Sequence, residues 1–538
     1  MKPLLFAFLL GLLSACGFEP WRLWPLTLAA FAGLLWLIAA APSLKSALAR
    51  GYWFGVGQFV LGLNWIATAF TYQAAMPAWL GWIAVVLLSF YLAVYSAMAT
   101  GLAWRHGVCS SRATSRGALD DSEPRPSTFL GTNEIKLVLI LAAAWIVTEW
   151  LRATVFTGFA WNPIGVVAMS AAGEDSSALA GLSRWIGTYG LSGAVILVGG
   201  MWFLAVRRLT SRKKLGAGLL MALPIVAFLI PLPAGGIESK AAPIPLRIVQ
   251  PNIGQEYKWS EGFADDSLRL LGRLSQQGPS QPPLLLWPEA AVTDSLEDGR
   301  RQAYYQEDVA RTRALVRREM GDAQLLLTGG ITIQSRNGRN ASSATNSIFA
   351  ITKDGRMLGR YDKAHLVPYG EYLPMRPLLS AIGLSRLAPG DLDFDPGPGP
   401  QSLNLPLVGK AGFQLCYEII FSGEVVDREN RPAFLFNPSN DAWFGAFGPP
   451  QHLAQARLRA LEEGLPILRS TPTGISAVID AEGRLLASLP WRTAGVIDTT
   501  LPLPKPPTLF ARVGNLLPFV FALLLAALAL VAGRRKAG

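Results

Sequence analysis

Three ionisable side chains in the middle of this 538-residue chain could together carry out acyl-transfer chemistry. Glu289 follows the apolar run LLLWP, Lys363 lies within RYDKAHLVPYGEYLP, and Cys416 follows FQL. A carboxylate can take the proton of a thiol, the resulting thiolate can attack a carbonyl carbon, and an ammonium can stabilise the oxyanion that forms. These three residue types therefore suit nucleophilic acyl chemistry.

Each of the three residues also has a simpler explanation. A cysteine that follows a strand is most often a small core residue. Lysine and glutamate at the ends of strands are usually solvated loop charges. Taken singly, Glu289, Lys363 and Cys416 leave the catalytic and the structural interpretation open.

The composition indicates that much of the chain faces lipid. Only 16% of the residues are charged, against roughly 25% in soluble proteins. The formal net charge of +11 comes from basic residues that cluster beside apolar segments, which is typical of membrane topology and not of a nucleic-acid surface. Three histidines and the unpaired cysteines Cys16, Cys109 and Cys416 predict no disulfide framework, metal or cofactor.

Apolar segments of about the length that a helix needs to cross a bilayer recur along the chain. Eight are predicted, near residues 4–18, 22–41, 52–71, 79–103, 136–156, 185–206, 215–232 and 512–533. Alternate loops are rich in Lys and Arg, so the positive-inside rule puts both termini in the cytoplasm of a bacterium. The long segment between the seventh and eighth spans then lies in the periplasm. Although Leu13 to Cys16 resembles a lipoprotein processing site, an uncleaved first helix is expected because further spans follow at once.

The segment between the last two spans is predicted to be a folded α/β domain. A Pro/Gly-rich linker precedes it. Beyond the linker, strands are predicted at 246–253, 283–292, 323–331, 346–355, 413–420, 433–440 and 476–488, and helices at 261–277, 301–320, 422–430 and 451–464. The expected organisation is a transmembrane domain at 1–232, a linker at 233–245, the α/β domain at 246–505 and a last helix with its tail at 506–538.

Sequence motifs around the three residues resemble those of the nitrilase, or carbon–nitrogen hydrolase, superfamily. WPEA, YDKAHLVPYGEYLP and LCYE occur in the order of that family's glutamate, lysine and cysteine motifs, and NPSNDAWFG and ARLRALEEGLPILRSTPTG resemble its later blocks. The resemblance implies a four-layer α-β-β-α sandwich. It also implies that Glu289, Lys363 and Cys416 form a catalytic triad.

A nitrilase-like domain between membrane spans resembles the apolipoprotein N-acyltransferase family in particular. VQPNIGQEYKW, ending in Trp259, resembles that family's entry motif, and HLVPYGEYLP carries its second glutamate, Glu371. EWLRATVFTGFAWNPIG resembles its intramembrane motif and includes Glu149, Arg152 and Trp161. The resemblance implies a multi-pass enzyme of the bacterial inner membrane that needs no metal or cofactor.

The chemistry implied by this resemblance has two steps. Cys416, activated by Glu289, attacks an ester carbonyl of a membrane phospholipid, while Lys363 and nearby backbone N–H groups stabilise the oxyanion. The α-amine of a diacylated apolipoprotein then attacks the thioester and forms an amide.

Neighbouring residues are expected to support this chemistry, each with a structural alternative. Glu371 would tune the lysine or orient the amine, or be a surface carboxylate. Tyr417 and Glu418 would shape the acyl pocket or position the lysine, and for Tyr417 the alternative is packing. Trp259 would line the lipid entrance or anchor at the interface. Glu149 and Arg152 would face a head group or fasten a helix end.

Three further expectations concern a loop and the histidines. The Pro/Gly-rich segment 374–400 is predicted to be a mobile gate with apolar residues at the membrane surface. His365 and His452 are expected to have structural hydrogen-bonding roles.

Two other functions compete with acyl transfer to a lipoprotein. A membrane-tethered amidase would use the same triad and transfer the acyl group to water. A transporter with an inactive receptor domain would need polar residues and broken helices at mid-membrane, which the sequence offers only sparsely.

Overall fold

The chain folds into two compact units. The computed structural model describes residues 1–72, 77–109, 130–169, 173–210, 216–232, 243–255, 262–278, 281–381 and 392–534. The first unit comprises Met1–Asn64, Trp82–Ala234 and Thr508–Gly538, and the second comprises Trp65–Gly81 and Gly235–Pro507. The short segment Trp65–Gly81 thus groups with the α/β insert although it lies between two apolar helices of the sequence.

The first unit is built of apolar helices at the positions of the predicted spans. Its main helices are Lys2–Ala15, Trp24–Ala39, Leu44–Gly62, Leu80–Ala103, Leu130–Thr154, Ser183–Thr210, Ala217–Leu229 and Leu516–Arg534. Among the described residues, Leu80–Cys109, Ala180–Leu209 and Leu516–Gly533 are long and apolar enough to cross a membrane, and a fourth span results if the bent pair Leu44–Gly62 and Ile66–Tyr72 counts as one. Several spanning helices are therefore supported, whereas the predicted number of eight is not confirmed.

Two glycines let the first and third helices approach to backbone contact. A Cβ on Gly11 would lie 2.0 Å from the carbonyl oxygen of Phe54, and one on Gly57 would lie 2.2 Å from that of Phe8. Close approach through small residues is the usual packing device of helices in a membrane, where apolar burial itself gives little driving force.

The second unit contains two β-sheets. The strands are β1 (Pro245–Gln250), β2 (Leu284–Leu286), β3 (Ser295–Asp298), β4 (Leu325–Gln334), β5 (Ser343–Thr352), β6 (Met357–Asp362), β7 (Ser402–Leu405), β8 (Gly409–Phe413), β9 (Phe434–Pro438), β10 (Ile467–Ser470), β11 (Ala477–Ile479), β12 (Leu485–Ser488) and β13 (Gly495–Thr500). One sheet has the order β13-β1-β2-β4-β5-β6, with β3 paired to β4, and the other has the order β12-β11-β10-β9-β8-β7. The centre of each sheet is parallel. In the first sheet β2 pairs with β1 and β4, and in the second β9 pairs with β8 and β10.

The main core lies between the two sheets. Leu286 and Ile348 of the first sheet pack in one apolar cluster with Phe413, Phe436 and Leu468 of the second. A separate cluster joins the other face of the first sheet to helices Phe263–Ser275 and Ala303–Glu319. Helix Gly448–Glu463 is buried along almost its whole length beside the second sheet, so the layers run helix, sheet, sheet, helix.

Two predicted elements of the insert are wrong. Residues 413–420 do not continue as a strand, because β8 ends at Phe413 and the chain turns into a short 3-10 helix, Cys416–Ile420. No helix forms at 422–430, where the chain makes turns. In the first place a run of mainly apolar residues is buried by a turn, and in the second the segment SGEVVDREN buries little apolar surface beyond Val425 and Val426.

Candidate active site

Cys416 stands immediately beyond the end of β8, where the chain leaves the sheet. Its backbone has a φ of 51°, a left-handed conformation that costs a non-glycine residue about 1–2 kcal/mol. The side chain is 5% exposed. A strained, buried thiol at a strand end is unusual for a residue that only fills the core, and such strain is common at active sites.

Glu289 follows β2 and its carboxylate is almost fully buried. The amide nitrogen Nδ2 of Asn346, on β5, donates to Glu289 Oε1 at 2.8 Å. The second oxygen, Oε2, is buried without a hydrogen-bond partner of standard geometry, and the thiol of Cys416 is near enough to lower the pKa of Glu289 as a donor. The carboxylate is thus held on one side and faces the thiol on the other.

A glycine of β4 makes room for the Glu289 backbone. A Cβ on Gly329 would lie 2.7 Å from the Cα of Glu289 and 2.8 Å from the nitrogen of Ala290. Distances this short do not occur in folded proteins without a shift of the backbone. Glycine at position 329 is therefore a requirement of the site's geometry.

Lys363 follows β6 and is 1% exposed. Its Nζ lies 2.9 Å from both oxygens of Glu371. Glu371 also accepts from Asn346 Nδ2 at 3.0 Å and from the backbone nitrogen of Val367 at 2.8 Å. One amide side chain, that of Asn346, therefore bridges the carboxylate beside the thiol and the carboxylate beside the lysine.

The pKa shifts of the three residues reflect their mutual proximity. Burial raises the pKa of Glu289, Lys363 counters that shift, and Glu371 adds to it. Burial and Glu289 raise the pKa of Cys416, while Lys363 lowers it. Burial lowers the pKa of Lys363, but Glu371 and Glu289 outweigh burial and leave the pKa above its ordinary value. The resting site thus has a cationic lysine, a neutral thiol and a carboxylate of increased basicity.

Glu418 joins the lysine loop to the cysteine loop. Its Oε1 accepts from the backbone nitrogens of Ala364 and His365 at 2.7 and 2.9 Å, and its Oε2 accepts from that of Leu415 at 2.7 Å. The hydroxyl of Tyr361 donates to the same carboxylate at 2.9 Å. Of the two roles predicted for Glu418, the geometry favours positioning of the lysine over shaping of a pocket.

Tyr417 and His365 belong to an aromatic group beside the nucleophile. The Tyr417 ring lies 5.8 Å from the His365 ring and 5.2 Å from that of Phe421, and His365 stacks on Phe421 at 3.7 Å. Tyr417 thus packs against its aromatic neighbours, as the structural alternative predicts, and this packing is compatible with a role in shaping the pocket.

Four polar residues near the thiol were not singled out from the sequence as functional. They are Asn346, Asp441, Arg469 and His452, the last of which was expected to be structural. Asp441 lies in the block NPSNDAWFG and Arg469 in the block ARLRALEEGLPILRSTPTG, whereas Asn346 and His452 come from a strand and a helix whose spacing says nothing of the thiol. Only the fold brings them to Cys416.

Cys416, Asp441 and His452 place their ligand-type atoms within 4.8 Å of one another. His452 Nδ1 lies 2.9 Å from Asp441 Oδ1, its Nε2 lies 3.1 Å from the carbonyl oxygen of Cys416, and Arg469 pairs with Asp441 Oδ2. The Asp441 carboxylate and both ring nitrogens of His452 therefore already have hydrogen-bond partners, and the positive charge of Arg469 would repel a metal cation. The group is a hydrogen-bond network and not a metal site.

In the first unit, Glu149 and Arg152 hold the chain that follows their helix. Glu149 Oε1 accepts from the backbone nitrogen of Ile164 at 3.0 Å, and Arg152 Nη1 donates to the carbonyls of Phe159 and Trp161 at 3.0 and 2.8 Å. The two charged groups are 3.8 Å apart and nearly fully buried. The structural alternative, fastening of the helix end, is realised by these contacts, and a role towards a head group stays a prediction.

Two sequence predictions fall wholly or partly outside the described residues. Trp259 is one, and the middle of the predicted gate, residues 382–391, is the other. At the described start of that gate, Met375 and Leu378 are 65% and 61% exposed.

Two family models match large parts of the chain, and curated relatives match 99% of it. Residues 10–201 match the model "Apolipoprotein N-acyltransferase N-terminal domain", and residues 247–505 match "Carbon-nitrogen hydrolase". Apolipoprotein N-acyltransferases of Rhodopseudomonas palustris and Bradyrhizobium diazoefficiens are each 34% identical to this chain. Each alignment covers 99% of this chain, and covers 96% and 95% of the two relatives, respectively. Among solved structures, Saccharomyces cerevisiae Nit3, of the nitrilase superfamily, aligns with a TM-score of 0.35 at 16% identity over 48% of this chain and 90% of its own. On the evidence of the full-length relatives, the chain belongs to the apolipoprotein N-acyltransferase family.

Proposed function

We propose that this protein transfers an acyl chain from a membrane phospholipid to the N-terminal α-amine of a diacylglyceryl-cysteine lipoprotein. The observation that carries the proposal is the convergence of Glu289, Lys363 and Cys416 in one buried site of a domain that matches the carbon–nitrogen hydrolases, in a chain similar over its whole length to lipoprotein acyltransferases. Acyl transfer needs all three side chains in the charge states that their surroundings favour.

The first half-reaction forms a thioester. Glu289 takes the proton of Cys416 as the sulfur bonds to the ester carbonyl carbon of the phospholipid, and the carbonyl electrons move to its oxygen. Lys363 stabilises that oxyanion. When the carbonyl re-forms, the carbon–oxygen ester bond breaks and Glu289 returns the proton to the alkoxide, so that lysophospholipid leaves and the acyl chain stays on sulfur.

The second half-reaction forms the amide. The neutral α-amine of the lipoprotein attacks the thioester carbonyl, Glu289 takes a proton from the nitrogen, and the carbon–sulfur bond breaks as the thiol of Cys416 is regenerated. Burial of the site favours this outcome, because an amine competes for the thioester only when water is largely excluded.

The surroundings of Lys363 suit it to the role of oxyanion stabiliser. Glu371 holds the ammonium at 2.9 Å and keeps it charged despite burial. Because Glu289 has its own donor, Asn346, the lysine is not needed to neutralise the base. These contacts support the proposal that Glu371 tunes the lysine, the first of the two functional roles predicted for it.

The position of the enzyme in the cell follows from the apolar helices and the charge asymmetry of the loops. We infer eight spans in the bacterial inner membrane, both termini in the cytoplasm and the α/β domain, 246–505, in the periplasm. In the α/β unit, Trp259 is proposed to line the lipid entrance and Tyr417 to shape the acyl pocket. In the helical unit, Glu149, Arg152 and Trp161 are proposed to support binding of a lipid head group. Segment 374–400 is proposed to gate that path, which the exposure of Met375 and Leu378 supports.

Labelling of the protein by its donor tests the proposal directly. Wild type, Cys416→Ser and the control Cys109→Ser, whose cysteine is exposed, are purified in detergent and incubated with phospholipid carrying a labelled acyl chain. Label that neutral hydroxylamine releases is expected on wild type and Cys109→Ser and not on Cys416→Ser. A diacylated lipopeptide should then remove the label as an amide.

Two outcomes would overturn the proposal. Folded wild type that takes no label from phospholipid excludes this donor. Label that passes to water at the same rate with and without the lipopeptide favours the amidase-type alternative, in which the thioester is hydrolysed.

A further inference from the structure

A buried network holds the peptide of the proposed nucleophile through the carbonyl oxygen of Cys416. His452, on helix Gly448–Glu463, lies with Nε2 at 3.1 Å from the carbonyl oxygen of Cys416. Asn437, on β9, approaches the same oxygen with Nδ2 at 3.5 Å. A left-handed cysteine would relax towards an ordinary conformation unless its peptide is held, and these two side chains hold it.

The proton on His452 is located by its neighbours. A backbone carbonyl can only accept, so Nε2 must carry the proton for the 3.1 Å contact to be a hydrogen bond. Arg469 Nη2 can only donate and lies 2.9 Å from Nδ1. Burial and Arg469 also lower the pKa of His452, which outweighs the opposite effect of Asp441. Nδ1 faces both Arg469 Nη2 and Asp441 Oδ1, whereas Nε2 is a donor to the Cys416 carbonyl and not a base directed at the thiol.

Arg469 ties the network to the second sheet. It donates to Asp441 Oδ2, to Ser439 Oγ at 2.9 Å and to Asn437 Oδ1. Arg469 and Asn437 are directly opposite each other in the parallel pair of β10 and β9. The guanidinium is fully buried, and a buried charge of this kind is a costly way to fill a core.

The same network reaches the sulfur from a second direction. Asn440 precedes Asp441, and the backbone N–H of Asn440 lies near enough to the thiol of Cys416 to oppose, as a donor, the increase in the pKa of Cys416 that burial causes. Since Asp441 is held between Arg469 and His452, the position of that N–H depends on the network. Carbonyl and sulfur of one residue are thus both located by the Asp441, His452 and Arg469 side chains.

We propose that His452, anchored by Asp441 and Arg469, is a positioning residue that keeps the Cys416 peptide in its left-handed conformation and so aims the thiol at Glu289. It touches neither substrate nor sulfur and acts through the carbonyl of Cys416. The inference depends on the proposed function only for its acyl-transfer measurement.

Two amide substitutions at one position separate positioning from mere packing. The terminal amide of glutamine reaches about as far as Nε2 of histidine, whereas that of asparagine reaches only as far as Nδ1. His452→Gln can therefore still donate to the Cys416 carbonyl, and His452→Asn cannot. We expect thioester formation within about fivefold of wild type for His452→Gln and a loss of roughly 100-fold for His452→Asn, because a misplacement of about 1 Å costs that much.

Two measurements keep this test independent of the proposed function. Apparent KM for phospholipid should be the same in both variants, since the change acts on the reacting group. Alkylation of Cys416 by iodoacetamide, in a background with Cys16 and Cys109 changed to serine, should slow in His452→Asn and not in His452→Gln. If wild type takes no acyl chain but alkylation follows this order, the proposed function fails and positioning stands.

The results that overturn the inference are equally specific. Equal thioester formation in both variants, whether retained or lost, removes the role of the Nε2 donor, as does a loss that only follows a lower Tm. Should His452→Asn not fold, His452→Met, apolar and of similar reach, takes its place with the same expected loss and the same contradicting results.

Discussion

Replacement of Glu418 by glutamine should weaken the link between the loop that carries Lys363 and the loop that carries Cys416. The carboxylate accepts from Ala364 and His365 through Oε1 and from Leu415 through Oε2. An amide has one acceptor oxygen, so Glu418→Gln must oppose an N–H with its own N–H. The less costly orientation keeps the oxygen towards Ala364 and His365 and leaves the buried N–H of Leu415, next to Cys416, without its acceptor.

The magnitude follows from the number and kind of hydrogen bonds affected. A hydrogen bond to a charged group contributes about 1.5–3 kcal/mol, and an unsatisfied buried N–H costs about 1–3 kcal/mol. We expect the free energy of unfolding of the α/β unit to fall by about 2–4 kcal/mol. Because the loops of Lys363 and Cys416 lose their common anchor, kcat for thioester formation should fall by roughly 100-fold.

The assay compares labelled thioester formation per folded molecule with thermal unfolding. Glu482→Gln is the matched control, since Glu482 is also a buried carboxylate, paired with Arg484 and Lys505 and not with the site. The control should lose stability and keep its kcat. If the two variants are equally destabilised and Glu418→Gln keeps the wild-type kcat, Glu418 does not position the lysine.

Two further predictions follow from the geometry around Glu289. Gly329→Ala places a Cβ 2.7 Å from the Cα of Glu289 and should lower the free energy of unfolding by about 1–3 kcal/mol and also lower kcat. The control Gly218→Ala, whose Cβ would meet nothing within 4 Å, should change neither quantity in the same unfolding and labelling assays. A Gly329→Ala variant with wild-type activity would contradict the close approach. Besides burial, Glu371 raises the pKa of Glu289, so Glu371→Gln should lower that pKa. Because the reaction needs the ionised base, the rising limb of the pH profile of thioester formation should move to lower pH. An unchanged limb, or one shifted to higher pH, would contradict the coupling between Glu371 and Glu289.

The catalytic trio could be proposed from residue types and flanking motifs because each member lies at a strand end in a specific short sequence. Apolar composition likewise predicted where the helices of the first unit lie, since a long apolar run has few other stable arrangements. Among the strands in parallel pairs, β1, β2, β4 and β9 were found from short buried runs such as Leu284–Leu286, whereas β10 was not predicted although it is buried. Strands such as β3 and β7 were missed because they are short and only partly buried.

The turn at Cys416 could not be predicted because FQLCYEIIF is mainly apolar apart from Gln414 and Glu418, and periodicity cannot distinguish a buried strand from a buried turn. The choice is made by tertiary contacts, in which Glu418 caps the turn through Leu415 and His452 holds the carbonyl of Cys416.

By itself the sequence determined the class of chemistry, the apolar segments and the order of the functional motifs, because these depend on side-chain types and local spacing. Only the tertiary structure decided that Asn346 bridges two carboxylates, that Glu418 links two loops and that Arg469 and His452 stand behind the nucleophile. These contacts join strands and helices far apart in the chain, and hydrogen bonds between buried groups depend on positions and directions that no local pattern encodes.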